Sequence, residues 1–290
     1  MIRSPDEALE GIVDGAVIGV GGSITAGHPM ALVRQVIRRG LRDLTLVAPT
    51  AGLDVDLLIS AGCARTVVTS YVGAEGLAPI GPSFRAAVES GAIEVDELDE
   101  AHCAMGLRAA AQRLPFLPWR GGVGTSLPKL NPRLKEVTDP FRGEPLLAVP
   151  ALKLDVALVY AEIADPHGNV QHVGTSHMDP LLAGASDLVV AQVERIVSNE
   201  RIRREPARTR FWPWTLVVEA PWGTHPYSGT SIVADEGHLG VYVAAAEAAA
   251  RGERKGLEEY VRRYVHTPQT HLDYLEQVGI RRIASLLIRG

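Results

Sequence analysis

Alternation between two kinds of segment is the feature that most limits how this chain can fold. Over the first 114 residues, short apolar runs alternate with longer segments of helical period. The runs predicted as strands are 16–20, 43–50, 65–73 and 92–98, and the segments predicted as helices are 29–40, 54–62, 83–91 and 100–114. Strands separated by helices of this length need crossover connections. The sequence therefore predicts an α/β fold with an open, largely parallel sheet and helices on both faces.

The segment 115–146 interrupts this alternation, because it contains six prolines and a cluster of glycines at 121–124. Long segments without regular structure inside a domain are usually functional or disordered, so we predict a long Pro/Gly-rich loop here. Strand-like runs resume at 147, and the chain from 235 onward is predicted to be mostly helical, with a last short strand at 281–288. No linker separates two cores, so residues 1–290 are predicted to form a single domain.

Net charge and the lack of targeting signals limit the partners and the location. A formal charge of −5 disfavours nucleic acid and anionic membranes, because neither is attracted to a negative field. Residues 1–12 contain no apolar leader, and no run approaches the length of a membrane span. Cys63 and Cys103 lack a Cys-x-x-Cys arrangement and are predicted to be buried free thiols. We expect a soluble, cytoplasmic protein.

The loop Gly19–Pro29, GVGGSITAGHP, follows the first predicted strand and precedes a predicted helix. It has the Gly-x-x-x-x-Gly spacing of a P-loop, but His-Pro stands where Lys and Ser or Thr are required. A dinucleotide fingerprint also fails, because Ile24 replaces the third glycine and the second strand ends without an acid. Two interpretations remain. Either the N–H groups of Gly21 and Gly22 and the helix N-terminus bind a carboxylate, phosphate or oxyanion, or the loop is only a tight turn.

The stretch 14–29, DGAVIGVGGSITAGHP, resembles the signature of the α subunits of family I CoA-transferases. The matching residues are Asp14, Gly15, Gly21, Gly22, Gly27 and Pro29, whereas Ser23 stands where Phe is usual. Likeness to the same subunits continues at 70–73, at 90–98 and at the Asp-x-x-Gly-Asn turn 165–169. The stretches 198–206, 220–228 and 271–283 resemble the glutaconate CoA-transferase type most closely.

This resemblance implies an α subunit that assembles with a homologous β subunit into a hetero-oligomer, α2β2 or larger. In that family the β subunit provides a glutamate whose carboxylate attacks an acyl-CoA thioester, and CoA moves to a carboxylic acid. The implied small molecules are therefore coenzyme A or acyl-CoA and a free carboxylate, as substrates, with no tightly bound cofactor. A Ser-Glu-Asn-Gly-like loop is missing here, and Glu75 in GAEG follows an α-type segment, so we expect the nucleophile in the partner chain.

We place the substrate site on the glycine loop and on the segments that carry the resemblance. The candidate residues are Gly21, Gly22, Ser23, Gly27, Ser70, Gly73, Gly121, Gly122 and His225. The glycines at 121–124 are either a flap over CoA or a flexible surface loop, and both interpretations stay open. A metal site is not expected, because His167, His172 and His177 are five residues apart around a turn and share no helical face.

The sequence at Glu100 supports a second resemblance. Many α subunits carry Gln after the strand 92–98, whereas an acid followed by 106–128 resembles the α-type subunit of a CoA-dependent hydrolase that opens a steroid ring. In that enzyme an α-side glutamate acts as base or nucleophile in C–C cleavage, which makes Glu100 the catalytic candidate. Otherwise Glu100 is a first-turn acid that stabilises its own helix. A third possibility is a non-catalytic scaffold subunit.

Overall fold

The computed structural model describes residues 1–210 and 214–288. The strands are β1 Val17–Val20, β2 Leu44–Val47, β3 Thr50–Ala51, β4 Ala64–Thr69, β5 Tyr71–Val72, β6 Glu94–Glu97, β7 Phe116–Trp119, β8 Lys135–Thr138, β9 Pro145–Pro150, β10 Leu154–Ala164, β11 Val170–Gln171, β12 Ser186–Ile196, β13 Thr209–Arg210 and β14 Thr215–Glu219. The helices are α1 Pro5–Leu9, α2 Met30–Arg38, α3 Leu53–Ser60, α4 Pro82–Glu89, α5 Glu100–Ala111, α6 Leu127–Leu130, α7 Asp179–Gly184, α8 Asn199–Arg203, α9 Glu236–Ala250, α10 Lys255–Val261, α11 His271–Val278 and α12 Ile280–Ser285. A 3-10 turn at Pro206–Arg208 and a π-helical turn at Arg262–His266 complete the described elements.

The main sheet confirms the predicted fold class. Its parallel strands run in the order β14–β12–β10–β1–β2–β4–β6, and β11 and β13 extend it in antiparallel fashion beyond the end of β10. From β1 the chain builds outward through β2, β4 and β6, whereas from β10 it builds in the opposite direction. The strand order therefore reverses between β1 and β10, and such switch points leave a crevice at the carboxyl ends of the strands.

Apolar residues on alternate sides of β10 show that both faces of the sheet are covered. Val156 and Leu158 pack into a core formed with α2, α3, α9 and α10. Ala157 and Val159 pack into a second core, which is formed with α5, α7 and β9. Successive side chains of a strand point to opposite faces, so one continuous apolar run serves both layers.

Local signals set several of the helix ends. Ser4 and Glu7 form a capping box at the start of α1. The Asp99 side chain caps α5 by accepting the backbone N–H of His102 at 2.8 Å. Gly40, with φ +68°, follows the end of α2, as the sequence predicts. A side-chain N-cap typically contributes about 1 kcal/mol, so Asp99 fixes where α5 begins.

The segment 115–146 differs from the predicted long loop. It contains β7, α6 and β8, and β7 and β8 pair in antiparallel fashion with β9 to form a small three-stranded sheet. Pro118 lies within β7, an edge strand, where the missing N–H of proline is tolerated. High proline content hid these short strands from a reading based on periodicity.

The C-terminal region is helical, as predicted, but its last element is not a strand. Residues 280–285 form α12, and of the predicted strand only Leu287 makes an isolated bridge, to Ile232. Cys63 and Cys103 are buried and free, as expected. Among residues 1–210 and 214–288, no helix combines the length and the apolar character needed to cross a lipid bilayer. The prediction of a single domain stays a prediction.

Candidate active site

The edge formed by the carboxyl ends of the seven parallel strands holds most of the residues that the sequence predicts for the site. We call it the carboxyl edge. Gly21 directly follows β1, Ser70 directly follows β4, and Glu100 begins α5 three residues after β6. The glycine loop lies beside the switch point between β1 and β10, which is the usual ligand position in open α/β sheets.

The glycine loop has a backbone that requires glycine. Gly22 has φ +92° and Gly27 has φ +71°, which are values that L side chains adopt only with strain. A methyl group at Gly22 would also lie 2.8 Å from Nδ1 of His28 and 2.9 Å from the carbonyl of Gly27. A methyl group at Gly21 would lie 2.5 Å from Oδ1 of Asp179. Turn conformation and close packing therefore both account for these glycines.

Backbone N–H groups of the loop already have acceptors inside the chain. Those of Gly21, Gly22, Ser23, Ile24 and Gly27 donate, respectively, to Leu158 O, Asp179 Oδ1, Ala26 O, Thr50 O and Ser228 O at 2.9–3.0 Å. These five amides are thus not free for an external anion, contrary to the prediction. Contact between the loop and a substrate stays a prediction that rests on position.

The N-terminus of α2 is occupied in the same way. The side-chain Oε1 of Gln192, on β12, accepts the N–H groups of Ala31 at 2.9 Å and of Leu32 at 3.4 Å. Pro29 precedes the helix as its cap residue and provides no side-chain hydrogen bond. A protein group therefore fills the position at the positive end of α2 that we predicted for a ligand.

Asp179, the first residue of α7, is the internal anion of the glycine loop. Its carboxylate accepts the N–H of Gly22 at 3.0 Å and that of Tyr160 at 3.3 Å, and it lies 3.8 Å from Nε2 of the buried His172. His177 packs on the same loop: a methyl group at Gly27 would lie 3.2 Å from its ring. Burial lowers the pKa of His177, although Asp179 nearby opposes the shift. The neutral imidazole is therefore favoured at this position.

Beneath the loop lies a buried histidine–aspartate pair. Nδ1 of His28 is 2.8 Å from Oδ2 of Asp54, and both side chains are almost completely buried. The ring of Tyr227 lies against His28 with centroids 4.2 Å apart. A methyl group at Gly52 would lie within 3.0 Å of His28 Nε2 and of the Tyr227 hydroxyl. This packing supports the loop from below.

Ser70 and Gly73 lie in the connection after β4, next to the loop after β2. The hydroxyl of the exposed Ser70 donates to the carbonyl of Pro49, and its N–H donates to the same oxygen at 3.0 Å. Gly73 is buried, and a methyl group there would lie 2.7 Å from the carbonyl of Pro79 and from the Tyr71 hydroxyl. Gly73 thus has a packing role, whereas Ser70 presents itself on the carboxyl edge.

Glu100 lies exposed at the start of α5, on the same edge. It makes no hydrogen bond or ion pair with any residue in the described ranges. Asp99, rather than Glu100, caps the helix, and its Oδ1 lies 2.8 Å from both the backbone nitrogen and Nδ1 of His102. A free carboxylate at this position is available to a ligand or a partner chain, and it gains about 0.3–1 kcal/mol from the helix dipole.

The glycines at 121 and 122 pack beside α5. A methyl group at Gly121 would overlap the indole of Trp119. Gly122 has φ +83°, and a methyl group there would lie 3.0 Å from Leu147 and 3.1 Å from the ring of His102. This turn therefore lies close to the helix end that carries Glu100. Both predicted interpretations, flap and surface loop, stay open.

His225 does not face the carboxyl edge. Its side chain is 0% exposed, its Nδ1 lies 2.7 Å from the Tyr274 hydroxyl, and its Nε2 lies 3.2 Å from Oδ2 of Asp235. Burial lowers its pKa. Burial alone would raise the pKa of Asp235, but hydrogen bonds from Arg282 and His225 hold it well below its usual range. The predicted substrate contact by His225 is not supported, because the side chain belongs to an interior network that joins the C-terminal helices.

A cavity of about 630 Å³ opens where β10, β12 and β14 end. Two glutamates lie in its floor on neighbouring strands. The carboxylate of Glu162 accepts the N–H groups of Val173 at 2.6 Å and of Gly174 at 3.1 Å. That of Glu194 accepts the N–H of Trp222 at 2.6 Å, and burial raises its pKa. Both carboxylates thus anchor backbone loops that form the cavity walls.

Several residues of this edge escape sequence reasoning. Asp179 reaches the glycine loop across 157 residues, and Gln192 reaches α2 across 161. A short periodic or motif pattern contains no information about such pairs. Asp54 gave a weak signal, since an acid within a buried apolar helix needs a partner. Within residues 1–210 and 214–288, no group of three His, Cys, Asp or Glu side chains could hold a metal ion.

Comparison with known proteins identifies the family. Residues 2–219 match the model of the coenzyme A transferase family. The chain belongs to this family. The match begins before β1 and ends with β14, so it includes the whole parallel sheet, the glycine loop and the start of α5, but not His225.

Individual relatives extend the likeness to the C-terminal helices. The A subunit of glutaconate CoA-transferase from Acidaminococcus fermentans is 28% identical over 98% of this chain and 93% of its own length. The crystal structure of glutaconate coenzyme A-transferase from that organism superposes with a TM-score of 0.91 over 99% of this chain and 96% of that chain. These likenesses confirm the predicted resemblance and fold.

Two further relatives show the breadth of the family. The cholesterol ring-cleaving hydrolase IpdA subunit of Mycobacterium tuberculosis is 38% identical over 76% of this chain and 79% of its own length. An uncharacterized protein of Archaeoglobus fulgidus is 33% identical over 98% of this chain, which spans 65% of that protein. Transferase and hydrolase names thus both occur among the relatives, so the reaction has to be argued from the site.

Proposed function

We propose that this chain is the α-type subunit of a heteromeric, glutaconate-type CoA-transferase that moves CoA between an acyl-CoA and a carboxylic acid. The observation that supports this most is the superposition on glutaconate coenzyme A-transferase over 99% of the chain. The Acidaminococcus relative is named as one subunit of its enzyme, which supports a separate partner for this chain. A homologous β subunit is that partner in the proposal.

The engagement of the buried carboxylates supports a nucleophile in trans. Asp179, Glu162 and Glu194 each accept two or more hydrogen bonds from protein donors. A carboxylate whose lone pairs are occupied in this way is a poor nucleophile, because attack requires a free oxygen. In the proposal the reactive glutamate therefore comes from the β subunit, and this chain supplies one wall of the site.

The proposed reaction uses that glutamate twice. Its carboxylate oxygen attacks the thioester carbonyl carbon and the C–S bond breaks, which gives an acyl-glutamyl anhydride and a CoA thiolate. The thiolate then attacks the glutamyl carbonyl, which releases the acyl group as a carboxylate and leaves a glutamyl-CoA thioester. The acceptor carboxylate reverses both steps and leaves as the new acyl-CoA.

Reconstitution tests the proposal. This chain, the β-type subunit encoded with it and their mixture are assayed with a panel of acyl-CoA donors and carboxylate acceptors. We expect CoA transfer by the mixture and none by this chain alone. Robust turnover by the isolated chain would disprove a nucleophile in trans. A stable mixture that transfers CoA with no donor would exclude the transferase and favour the hydrolase or the scaffold.

A hydrolase is the second candidate, because Glu100 is an exposed, unpaired carboxylate among the described residues of the carboxyl edge. A relative named as part of a ring-cleaving hydrolase is 38% identical to this chain. In this alternative Glu100 accepts a proton from water or attacks a β-diketone, and water completes the C–C cleavage. Assay of the same complex with a cyclic β-diketone linked to CoA would detect it.

A further inference from the structure

The cavity at the ends of β10, β12 and β14 has walls suited to an apolar ligand. Ile163, Val173, Pro221 and Trp222 line it, and the oxygens of the two glutamates in its floor are occupied by protein donors. Binding sites for organic ligands are typically mainly apolar clefts of about 300–1,000 Å³. The volume of about 630 Å³ lies within that range.

Tyr160 joins this cavity to the glycine loop. Its backbone N–H donates to Asp179, which holds Gly22, and its hydroxyl donates to Glu194 at 3.1 Å. The loop after β14 makes a second connection: Ser228 O accepts the N–H of Gly27 at 2.9 Å, and Ser231, three residues later, lines the cavity. Glycine loop and cavity are therefore adjacent parts of one edge.

Trp222 is held in the cavity wall at a conformational cost. It is a bulky residue with φ +54°, and Glu194 accepts its N–H at 2.6 Å. Backbone strain of this kind typically costs about 1–3 kcal/mol and persists where the surrounding structure enforces it, often at ligand sites. The strain presents a large aromatic surface at the mouth of an apolar cavity.

The size of the cavity indicates the size of the ligand. If each heavy atom takes the ~30 Å³ of a water molecule, a five-carbon acyl group fills roughly 150 Å³. Such a group would leave most of the cavity to solvent. An acyl group of eight or more carbons would cover Val173 and Trp222 and remove their exposed surface from water.

We propose that this cavity is a specificity pocket that selects acyl-CoA substrates with acyl groups of eight or more carbons. The inference rests on the proposed CoA-transferase function and adds the substrate class to it. Each methylene that enters the pocket should strengthen binding by up to about fourfold. Val173 determines the usable length, because its side chain is 47% exposed at the wall and larger residues fit there without disturbing the core.

Steady-state kinetics of the α/β complex test the pocket with butyryl-, hexanoyl-, octanoyl- and decanoyl-CoA. We expect kcat/KM to rise at least tenfold from four to eight carbons. Val173→Trp should abolish that rise while changing the butyryl-CoA value by less than about twofold. Val241→Trp is the matched control: Val241 is 56% exposed on α9, outside the cavity lining, and the change should leave the profile intact. A flat wild-type profile, or an equal loss at every length in Val173→Trp, would overturn the proposal.

Equilibrium binding separates this inference from the function on which it rests. S-octyl-CoA is a thioether without a carbonyl, so it reports binding without chemistry. Calorimetry should show that the complex binds S-octyl-CoA at least tenfold more tightly than CoA, and that Val173→Trp removes the difference. A complex that fails to turn over any acyl-CoA but keeps this difference would refute the transferase and retain the pocket. Equal affinities for both ligands would refute the pocket whatever the turnover.

Discussion

The glycine loop and the first turn of α5 lie on the same edge of the sheet but differ in how their polar groups are used. In the loop, five backbone amides donate within the chain and a buried Asp179 takes the place of an anion. At α5, Asp99 caps the helix and leaves Glu100 exposed and without a partner among the described residues. The motif that identifies the family therefore builds the edge, whereas the group available for chemistry lies outside that motif.

Gly22→Val should show the largest effect, and on stability. It forces a β-branched residue to φ +92° and places a methyl carbon 2.8 Å from His28. Backbone strain and overpacking each cost about 1–3 kcal/mol, so we expect a loss of roughly 2–6 kcal/mol. Gly15→Val is the control, because Gly15 has φ +80° but no atom within 4 Å of the added carbon. Urea denaturation of both variants measures the difference, and equal losses would contradict the packing role.

Asp179→Ala should rank second. The change leaves the N–H groups of Gly22 and Tyr160 buried without an acceptor, at about 1–3 kcal/mol each. Asp179→Asn keeps one carbonyl oxygen and should cost less than the alanine change. Denaturation midpoints give the ranking. If the alanine variant were as stable as the wild type, the loop amides would be free to bind a ligand after all.

Acid should weaken the buried polar interior further. Burial lowers the pKa of His238 to about 3 and that of His271 to about 4. Both values lie below the unfolded pKa of about 6.5, so the unfolded chain binds protons first and stability falls as the pH drops below about 6.5. Between pH 6.5 and 5 the loss is about 2 kcal/mol per histidine. His271→Gln should make the free energy of unfolding less dependent on pH; an unchanged slope would show that His271 does not titrate as expected.

Glu100→Gln should show the smallest effect if the chain serves a transferase. Only a helix-terminal charge of order 1 kcal/mol is lost, so turnover of the complex should fall less than about tenfold. In a hydrolase the amide can neither accept a proton nor attack a carbonyl, and the loss should reach about 10²–10⁴-fold. Turnover of the assembled complex decides. A loss beyond a hundredfold with assembly intact would replace the proposed function with the hydrolase.

Sequence reasoning was successful where the signal is local. The alternation of apolar runs and helical segments predicted β1, β2, β4 and β6 and the helices between them, because each period is contained in a few residues. The same reasoning was wrong at 281–288, where the run RRIASLLI contributes to α12 and makes a single bridge. It also missed β7 and β8, since proline-rich edge strands lack the expected pattern.

The site was less predictable than the fold for a physical reason. The signature located the glycine loop, but it gave no indication that Asp179 occupies the loop or that Tyr160 connects it to a cavity. His225 matched a family stretch, yet its surroundings are set by Tyr274 and Asp235, up to 49 residues away along the chain. Side-chain exposure depends on such distant contacts, and a sequence pattern does not report it.

The reversal of strand order between β1 and β10 has a consequence for how the chain folds. Each half of the sheet grows through successive crossovers between neighbouring segments, whereas the seam between the halves joins distant ones, as in the bond from Val17 N–H to Asp155, 138 residues apart. Closing so large a loop carries an entropic cost that nearby pairings avoid. We expect the two half-sheets to gain structure first and the β1–β10 seam to form last. The glycine loop, which bonds to Leu158 on β10, would then become ordered only at that final step of folding.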